Sequence, residues 1–260
     1  MQHQNKLKIS LIQFDVIWED HLANQQYLDH LLHQHQTDLI LLPEMFASGF
    51  SMNIEKIAQQ PFGETFEWLQ KKAKELDSAI AGSISTKENN QFFNRFYFVS
   101  PTGAVFIYDK KHLFSYGKEA SVYSAGNKIV TIQYKGWDIR PIVCYDLRFP
   151  TWIRNTEENS YDLILCNASW PKARKNAWIS LLKARAIENM SFVAGVNRTG
   201  IDGYNLEYNG DSYLFDTLGE EMPRINQQQQ ILQFEIDKEQ QDKTRQHFNF
   251  LNDRDSFYFG

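Results

Sequence analysis

A layered α/β fold, its sheets each carrying helices on the outer side, is what this sequence predicts, and three observations predict it. Strand-like and helix-like segments alternate, with paired strands between them. Segments 38–42 (DLILL) and 162–166 (DLILC) are continuous apolar runs, as strands buried on both faces are. No linker, composition break or fixed-period repeat interrupts the 260 residues, so one domain is the expectation.

Each element has its own signal. Residues 6–14 (KLKISLIQF) alternate as a first strand should. Leu28, Leu31 and Leu32 follow at the spacing of one helical face. The apolar run 38–42 stops at Pro43-Glu44. Phe66, Leu69, Ala73 and Leu76 form a second helical stripe, followed by a strand at 79–84. Segments 92–99 and 104–108 read as a hairpin around Pro101-Thr102-Gly103, and Lys135-Gly136 joins strands at 129–134 and 137–143. The second half supplies a strand at 162–166 and a helix at 176–189 with Trp178, Leu181, Leu182 and Ala186 on one face. Strands at 192–196 and 211–215 then lead to Leu218-Gly219. The polar run 227–230 reads as a loop.

Composition excludes several classes. Apolar residues are 42% and charged residues 23%, ordinary for a soluble globular protein. A net charge of −5 argues against a nucleic-acid binder. Residues 1–6 lead into the first strand without an apolar signal core. No run approaches the roughly 18 apolar residues of a membrane helix. Two cysteines, Cys144 and Cys166, make no disulfide framework, so a reducing cytoplasm is the expected compartment. No His/Cys/Asp/Glu cluster has structural-zinc spacing, and no glycine-rich phosphate loop is present.

Catalytic groups in layered α/β folds collect beyond the carboxyl ends of strands. Glu44 stands beyond 39–42, Lys110 beyond 104–108 and Cys144 beyond 139–143. Singly each has a bland explanation: a helix cap, half of a solvated lysine pair, a small core thiol. Together they are a chemistry, because a thiol nucleophile needs a base and its product oxyanion needs a cation. A phosphatase loop also pairs cysteine with arginine but needs five residues between them, and Cys144 and Arg148 have three. Cys166, inside an apolar run, reads as core.

Leu42-Pro43-Glu44-Met45-Phe46, Tyr108-Asp109-Lys110-Lys111-His112-Leu113-Phe114 and Cys144-Tyr145-Asp146-Leu147-Arg148-Phe149-Pro150 resemble, in order and spacing, the signature segments of the nitrilase superfamily. The resemblance runs from about Leu7 to Ile236. Segments 41–50 and 167–171 (NASWP) resemble its bacterial ω-amidases. It implies a four-layer αββα sandwich, a single carbon–nitrogen hydrolase domain over 1–260, and a Glu44-Lys110-Cys144 triad without metal or organic cofactor. It also implies subunits that pair as a homodimer or larger homo-oligomer. One position departs: many relatives carry arginine before the catalytic lysine, where Asp109 stands here with Lys111 following. Lys110 fits the motif, and Lys111 would point to the opposite strand face. A second glutamate of the family is matched by Glu119.

The implied reaction begins with Glu44 taking the Cys144 proton as sulfur attacks an amide carbon. Lys110 and the Tyr145 backbone N–H hold the oxyanion. Glu119 positions this machinery. An ω-amidase acts on the terminal amide of a short dicarboxylate monoamide such as 2-oxoglutaramate, so its pocket must read a distal carboxylate. Arg148 is the local candidate, since guanidinium grips carboxylate in bidentate fashion. Tyr116 and Trp170 are candidates for the pocket wall, His112 for an orienting group and Asp146 for a hydrogen-bond anchor. The resemblance leaves open a carbamoylase or other small-amide hydrolase, and a non-catalytic binding protein on the same fold.

Overall fold

A computed structural model of the chain describes residues 5–226 and 228–257. Residues 1–4 of the expected leader-free start, and position 227 of the expected loop, lie outside them. The first half contains β1 (Lys6–Ile12), α1 (His21–Leu31), β2 (Leu39–Leu41), α2 (Ile54–Ile57), α3 (Glu64–Leu76), β3 (Ala79–Glu88), β4 (Gln91–Val99) and β5 (Val105–Asp109). The second half contains β6 (Ile132–Tyr134), β7 (Trp137–Val143), α4 (Pro150–Ile153), β8 (Leu163–Ala168), α5 (Lys175–Asn189) and β9 (Phe192–Asn197). It continues with β10 (Thr199–Ile201), β11 (Glu207–Asn209), β12 (Tyr213–Phe215), β13 (Ile231–Asp237) and α6 (Lys238–Phe248).

Two large sheets result, ordered β13-β1-β2-β3-β4-β5 and β12-β9-β8-β7-β6, beside a separate two-stranded sheet of β10 and β11. Their centres, β1-β2-β3 and β7-β8-β9, are parallel, and antiparallel strands flank them. Strand alternation makes the layers. Leu39 and Leu41 of β2 join Leu7, Ile9 and Leu11 of β1 in the cluster shared with the second sheet. Ile40 and Leu42 face the other way, onto Leu28, Phe66, Leu69 and Ala73 of α1 and α3. On the far side, Trp178, Leu182 and Ala186 of α5 cover the second sheet. The order of layers is helix, sheet, sheet, helix, as expected.

Two tight hairpins follow from backbone chemistry. Asn89 and Asn90 (φ 48° and 63°) turn β3 into β4, and Lys135 and Gly136 (φ 48° and 82°) turn β6 into β7. Two consecutive positive φ values match the right-handed twist of the flanking strands. Segment 79–84 proves part of a longer strand, paired from Ile80↔Val99 to Glu88↔Gln91. Its polar half is buried because partners meet it there: Tyr123 donates to Ser85 Oγ at 2.9 Å. Segment 129–134 is strand only from Ile132. The chain also forms β10, β11, β13 and α6, none of which the sequence reading assigned. Helix α6 docks by polar bonds, Arg245 to Asp162 at 2.9 Å and Gln241 to the Asp162 carbonyl at 2.8 Å, so it carries no apolar stripe to read.

Candidate active site

Three strand ends converge. Glu44 lies past β2, and its Oε2 accepts the Ser169 N–H at 2.9 Å, from the residue that follows β8 in the other sheet. Lys110 follows β5 directly. Its N–H donates to the Asn94 carbonyl at 3.0 Å and its carbonyl accepts from Gly126 at 2.9 Å. A Cβ on Gly126 would stand 2.1 Å from the Asp109 oxygen, so only glycine lets this segment press against the strand end. Cys144 directly follows β7, with φ 45°, and opens a 3₁₀ turn, Cys144–Arg148. Left-handed backbone at a non-glycine residue reverses the chain abruptly and turns the thiol out of the sheet.

Asp146 locks that turn. Its carboxylate accepts the Val143 N–H at 3.0 Å, the Tyr108 hydroxyl at 2.8 Å and the His112 N–H at 2.8 Å. It also meets His112 Nδ1 at 2.9 Å. A carboxylate only accepts, so that ring nitrogen carries the hydrogen. The His112 ring stacks on Phe149 with centroids 3.7 Å apart. One anion thereby ties the end of β5 to the turn that bears the thiol, the anchoring and orienting expected of Asp146 and His112.

The charged groups form one buried row. Lys110 Nζ donates to Glu44 Oε1 at 2.8 Å and to both Glu119 oxygens at 3.0 and 2.9 Å. All three side chains are at most 1% exposed. Asn94 bridges the carboxylates, donating to Glu44 at 2.8 Å and Glu119 at 3.0 Å. The Phe114 N–H adds a bond to Glu119 at 2.6 Å. Burial alone would lower the Lys110 pKa, but Glu119, Glu44 and the neighbouring thiol outweigh it and hold the ammonium above its ordinary range. Burial pushes the Glu119 carboxyl up, Lys110 opposes this, and Glu44 adds to it. The Cys144 thiol is driven well above its usual value by burial and then by Glu44, with Lys110 compensating only in part. Cys144 and Glu44 thus border one cavity, where burial and the nearby carboxylate both oppose ionisation of the thiol.

Lys111 does not enter this row. Its Nζ lies 5.2 Å over the Trp152 ring, on the other side of the strand end. Asp109, where relatives carry arginine, faces Arg95 across the β4–β5 ladder and binds its guanidinium at 2.7 and 3.0 Å.

Glu44, Lys110 and Cys144 line a cavity of about 560 Å³. Tyr116, Tyr145, Arg148 and Trp170 line it too, whereas Glu119 sits behind Lys110 and His112 and Asp146 lie outside the lining. Tyr116 is 87% exposed and stands at the rim, whereas Trp170 is buried in the wall. The sequence reading missed Asn94, Phe50 and Met52, and the β10–β11 segment that brings Asp202, Tyr204, Leu206 and Tyr208 to the cavity. Asn94 had a signal, an amide beside an arginine in the middle of the aromatic strand 91–99 (QFFNRFYFV). Among the described residues, no group of three or more His, Cys, Asp or Glu side chains is arranged to hold a metal ion, and no helix is long and apolar enough to cross a membrane.

A two-sheet sandwich with thiol, carboxylate and ammonium at converging strand ends defines a class of hydrolase. Residues 8–246 match the carbon–nitrogen hydrolase family, to which the chain belongs. Within it, the chain is 41% identical to the ω-amidase YafV of Yersinia enterocolitica over 253 residues, 96% of this chain and 98% of that one. It is 30% identical to the 2-oxoglutaramate amidase of Bacillus subtilis, over 95% of this chain and 97% of that one. A solved CN-hydrolase superfamily protein of Xanthomonas campestris, which carries an arsenic adduct in its active site, superposes with a TM-score of 0.94. That structure is 43% identical and covers 98% of this chain and 99% of its own.

Proposed function

We propose that this amidase hydrolyses the terminal amide of short dicarboxylate monoamides, 2-oxoglutaramate and 2-oxosuccinamate, to the oxo-acid and ammonia through a cysteine thioester. The observation that carries the reading is one cavity with two kinds of charge. Its floor is the Lys110–carboxylate row beside Cys144, and its wall offers Arg148 and Arg174, neither with a carboxylate within ion-pair distance among the described residues. The names of the relatives, ω-amidase and 2-oxoglutaramate amidase, support the first of these substrates.

In the first half-reaction Glu44 takes the thiol proton as Sγ forms its bond to the amide carbon. Lys110 and the Tyr145 N–H receive the oxyanion, one such donor being typically worth roughly 3–4 kcal/mol. Glu44 returns the proton to nitrogen, the C–N bond breaks and ammonia leaves. Glu44 then deprotonates water, which attacks the thioester, and the acid departs as the proton returns to sulfur. Glu119 holds Lys110 on line and stays outside the proton transfers. Arg148, shelved 4.9 Å over the Trp170 ring, reads the distal carboxylate, with Tyr116 at the rim. The chain acts as one domain in the cytoplasm, without metal or organic cofactor, and its subunits pair.

Ammonia release across 2-oxoglutaramate, 2-oxosuccinamate, glutamine, an N-carbamoyl amino acid and a simple nitrile tests the reading. The oxo-acid monoamides should have the highest kcat/KM. Preference for the carbamoyl compound would transfer the assignment to a carbamoylase.

A further inference from the structure

The two guanidiniums of the cavity are mounted alike. Arg148 lies 4.9 Å over the Trp170 ring and Arg174 lies 5.4 Å over the Phe114 ring. Each aromatic shelf is coupled to the charged row. Trp170 follows Ser169, whose N–H holds Glu44, and the Phe114 N–H itself holds Glu119. The shelves are also linked to each other, because Trp170 Nε1 donates to the Arg174 carbonyl at 2.9 Å. Neither guanidinium meets a carboxylate within ion-pair distance among the described residues, although the chain carries more acids than bases. Two acids border the cavity: Glu44 is paired with Lys110 at 2.8 Å, and Asp202 accepts from Tyr208 at 2.8 Å and from the N–H groups of Tyr204 and Leu206 at 2.8 and 2.9 Å.

A single carboxylate needs one guanidinium. Two, held apart on separate rings, suit a ligand end with two acceptor groups and no cation. We infer that Arg174 is a second specificity residue, which reads the 2-oxo oxygen while Arg148 takes the adjacent carboxylate, so that the cavity selects oxo-acid monoamides against amino-acid amides. The inference rests on the ω-amidase reading and deepens it.

The discrimination is physical. Glutamine differs from 2-oxoglutaramate at one carbon, where an ammonium replaces an acceptor oxygen. In the oxo-acid that position accepts from Arg174. In the amino acid a positive charge meets the positive charges of Arg174 and Arg148. Arg174 is half-buried, whereas Arg148 is exposed, so water screens the contact to Arg174 less.

The test compares wild type, Arg174→Met, Arg174→Lys and Arg148→Met on 2-oxoglutaramate, glutaramate, glutamine and butyramide. Folding of each variant is confirmed by thermal melting. Glutaramate keeps the carboxylate and lacks the oxo group, and butyramide lacks both. Arg174→Met should lose about 10- to 100-fold in kcat/KM on 2-oxoglutaramate, and much less on glutaramate and butyramide. Its preference for 2-oxoglutaramate over glutamine should shrink by at least about tenfold. Arg174→Lys, which keeps charge without the planar fork, should recover part of the loss. Arg148→Met should instead weaken 2-oxoglutaramate and glutaramate together. Equal losses of Arg174→Met on 2-oxoglutaramate and glutaramate, or no loss, would overturn the role of Arg174 and leave the ω-amidase reading standing. A wild-type enzyme that favours butyramide over both anionic amides would overturn that reading and this inference with it.

Discussion

The floor and the wall of the same cavity handle charge in opposite ways. On the floor, Glu44, Lys110 and Glu119 are fully buried, and each charge has its counter-charge within 3.0 Å. On the wall, Arg148 and Arg174 rest on aromatic faces, and no acid lies within ion-pair distance among the described residues. Buried ions must be paired, because an uncompensated charge at low dielectric costs several kcal/mol. A paired row is also rigid, and preorganised groups serve a transition state better than mobile ones. Wall cations with no internal partner keep their capacity for an anion that arrives from outside. On the proposed function, the paired row performs the chemistry and the wall cations perform the recognition.

Substitutions should separate the two regions by size of effect. Cys144→Ala removes the attacking atom and should lower turnover by roughly 10⁴-fold or more. A substrate-derived thioester mass on Cys144, lost in the variant, checks this, and an adduct on Cys166 with activity retained would refute it. Lys110→Met should cost about 10³-fold in kcat, since it removes the oxyanion donor and strands Glu44 and Glu119 together. Its melting temperature should fall as well, which a scan of wild type against variant would reveal.

The next effect lies in pH. Burial and Glu44 raise the Cys144 pKa, so at neutral pH the free enzyme holds a thiol, and the thiolate fraction grows tenfold per pH unit until that raised pKa is reached. Iodoacetamide labelling of Cys144 without substrate should therefore rise about 100-fold between pH 7 and pH 9 and show no plateau there. A plateau near the ordinary cysteine value of about 8.5 would mean the floor does not repel negative charge on sulfur. Arg148→Met, on the exposed wall, should lose only about tenfold in kcat/KM, confined to anionic amides, because solvent screens its contact. Lys111→Met should stay within about twofold of wild type in steady-state kinetics, since its ammonium lies over Trp152 and away from the row. An inactive Lys111→Met beside an active Lys110→Met would exchange their assignments.

Much of the floor was legible in the sequence because strand ends are. An apolar run that stops at Pro43-Glu44, or at Cys144 before Tyr145-Asp146, announces a polar group at a sheet rim. The pleat argument separated Lys110 from Lys111 without coordinates, and the structure sets them on opposite sides. Asn94 was hidden because it works from mid-strand, where aromatic neighbours suggest packing alone. The β10–β11 hairpin was hidden for another reason. Its strands are three residues each, too short for any period to show. Strand β13 was within reach, since Ile231–Asp237 alternates buried and half-buried after its first two residues. Arg174 could be named as a pocket candidate, but its shelf on Phe114 joins residues sixty positions apart, and only the fold brings them together.

The left-handed backbone of Cys144 has a consequence beyond its direction. Met45, immediately after Glu44, shares it with φ 47°. A side chain held in that region costs roughly 1–2 kcal/mol relative to ordinary backbone, and glycine would escape the cost. At Met45 glycine would relieve the torsion but empty a fully buried site packed against Ile57 and Tyr123, at a cost typically of about 2–5 kcal/mol. At Cys144 the same change would remove the thiol itself, so on both sides of the site the torsional cost is tied to a side chain that glycine could not replace.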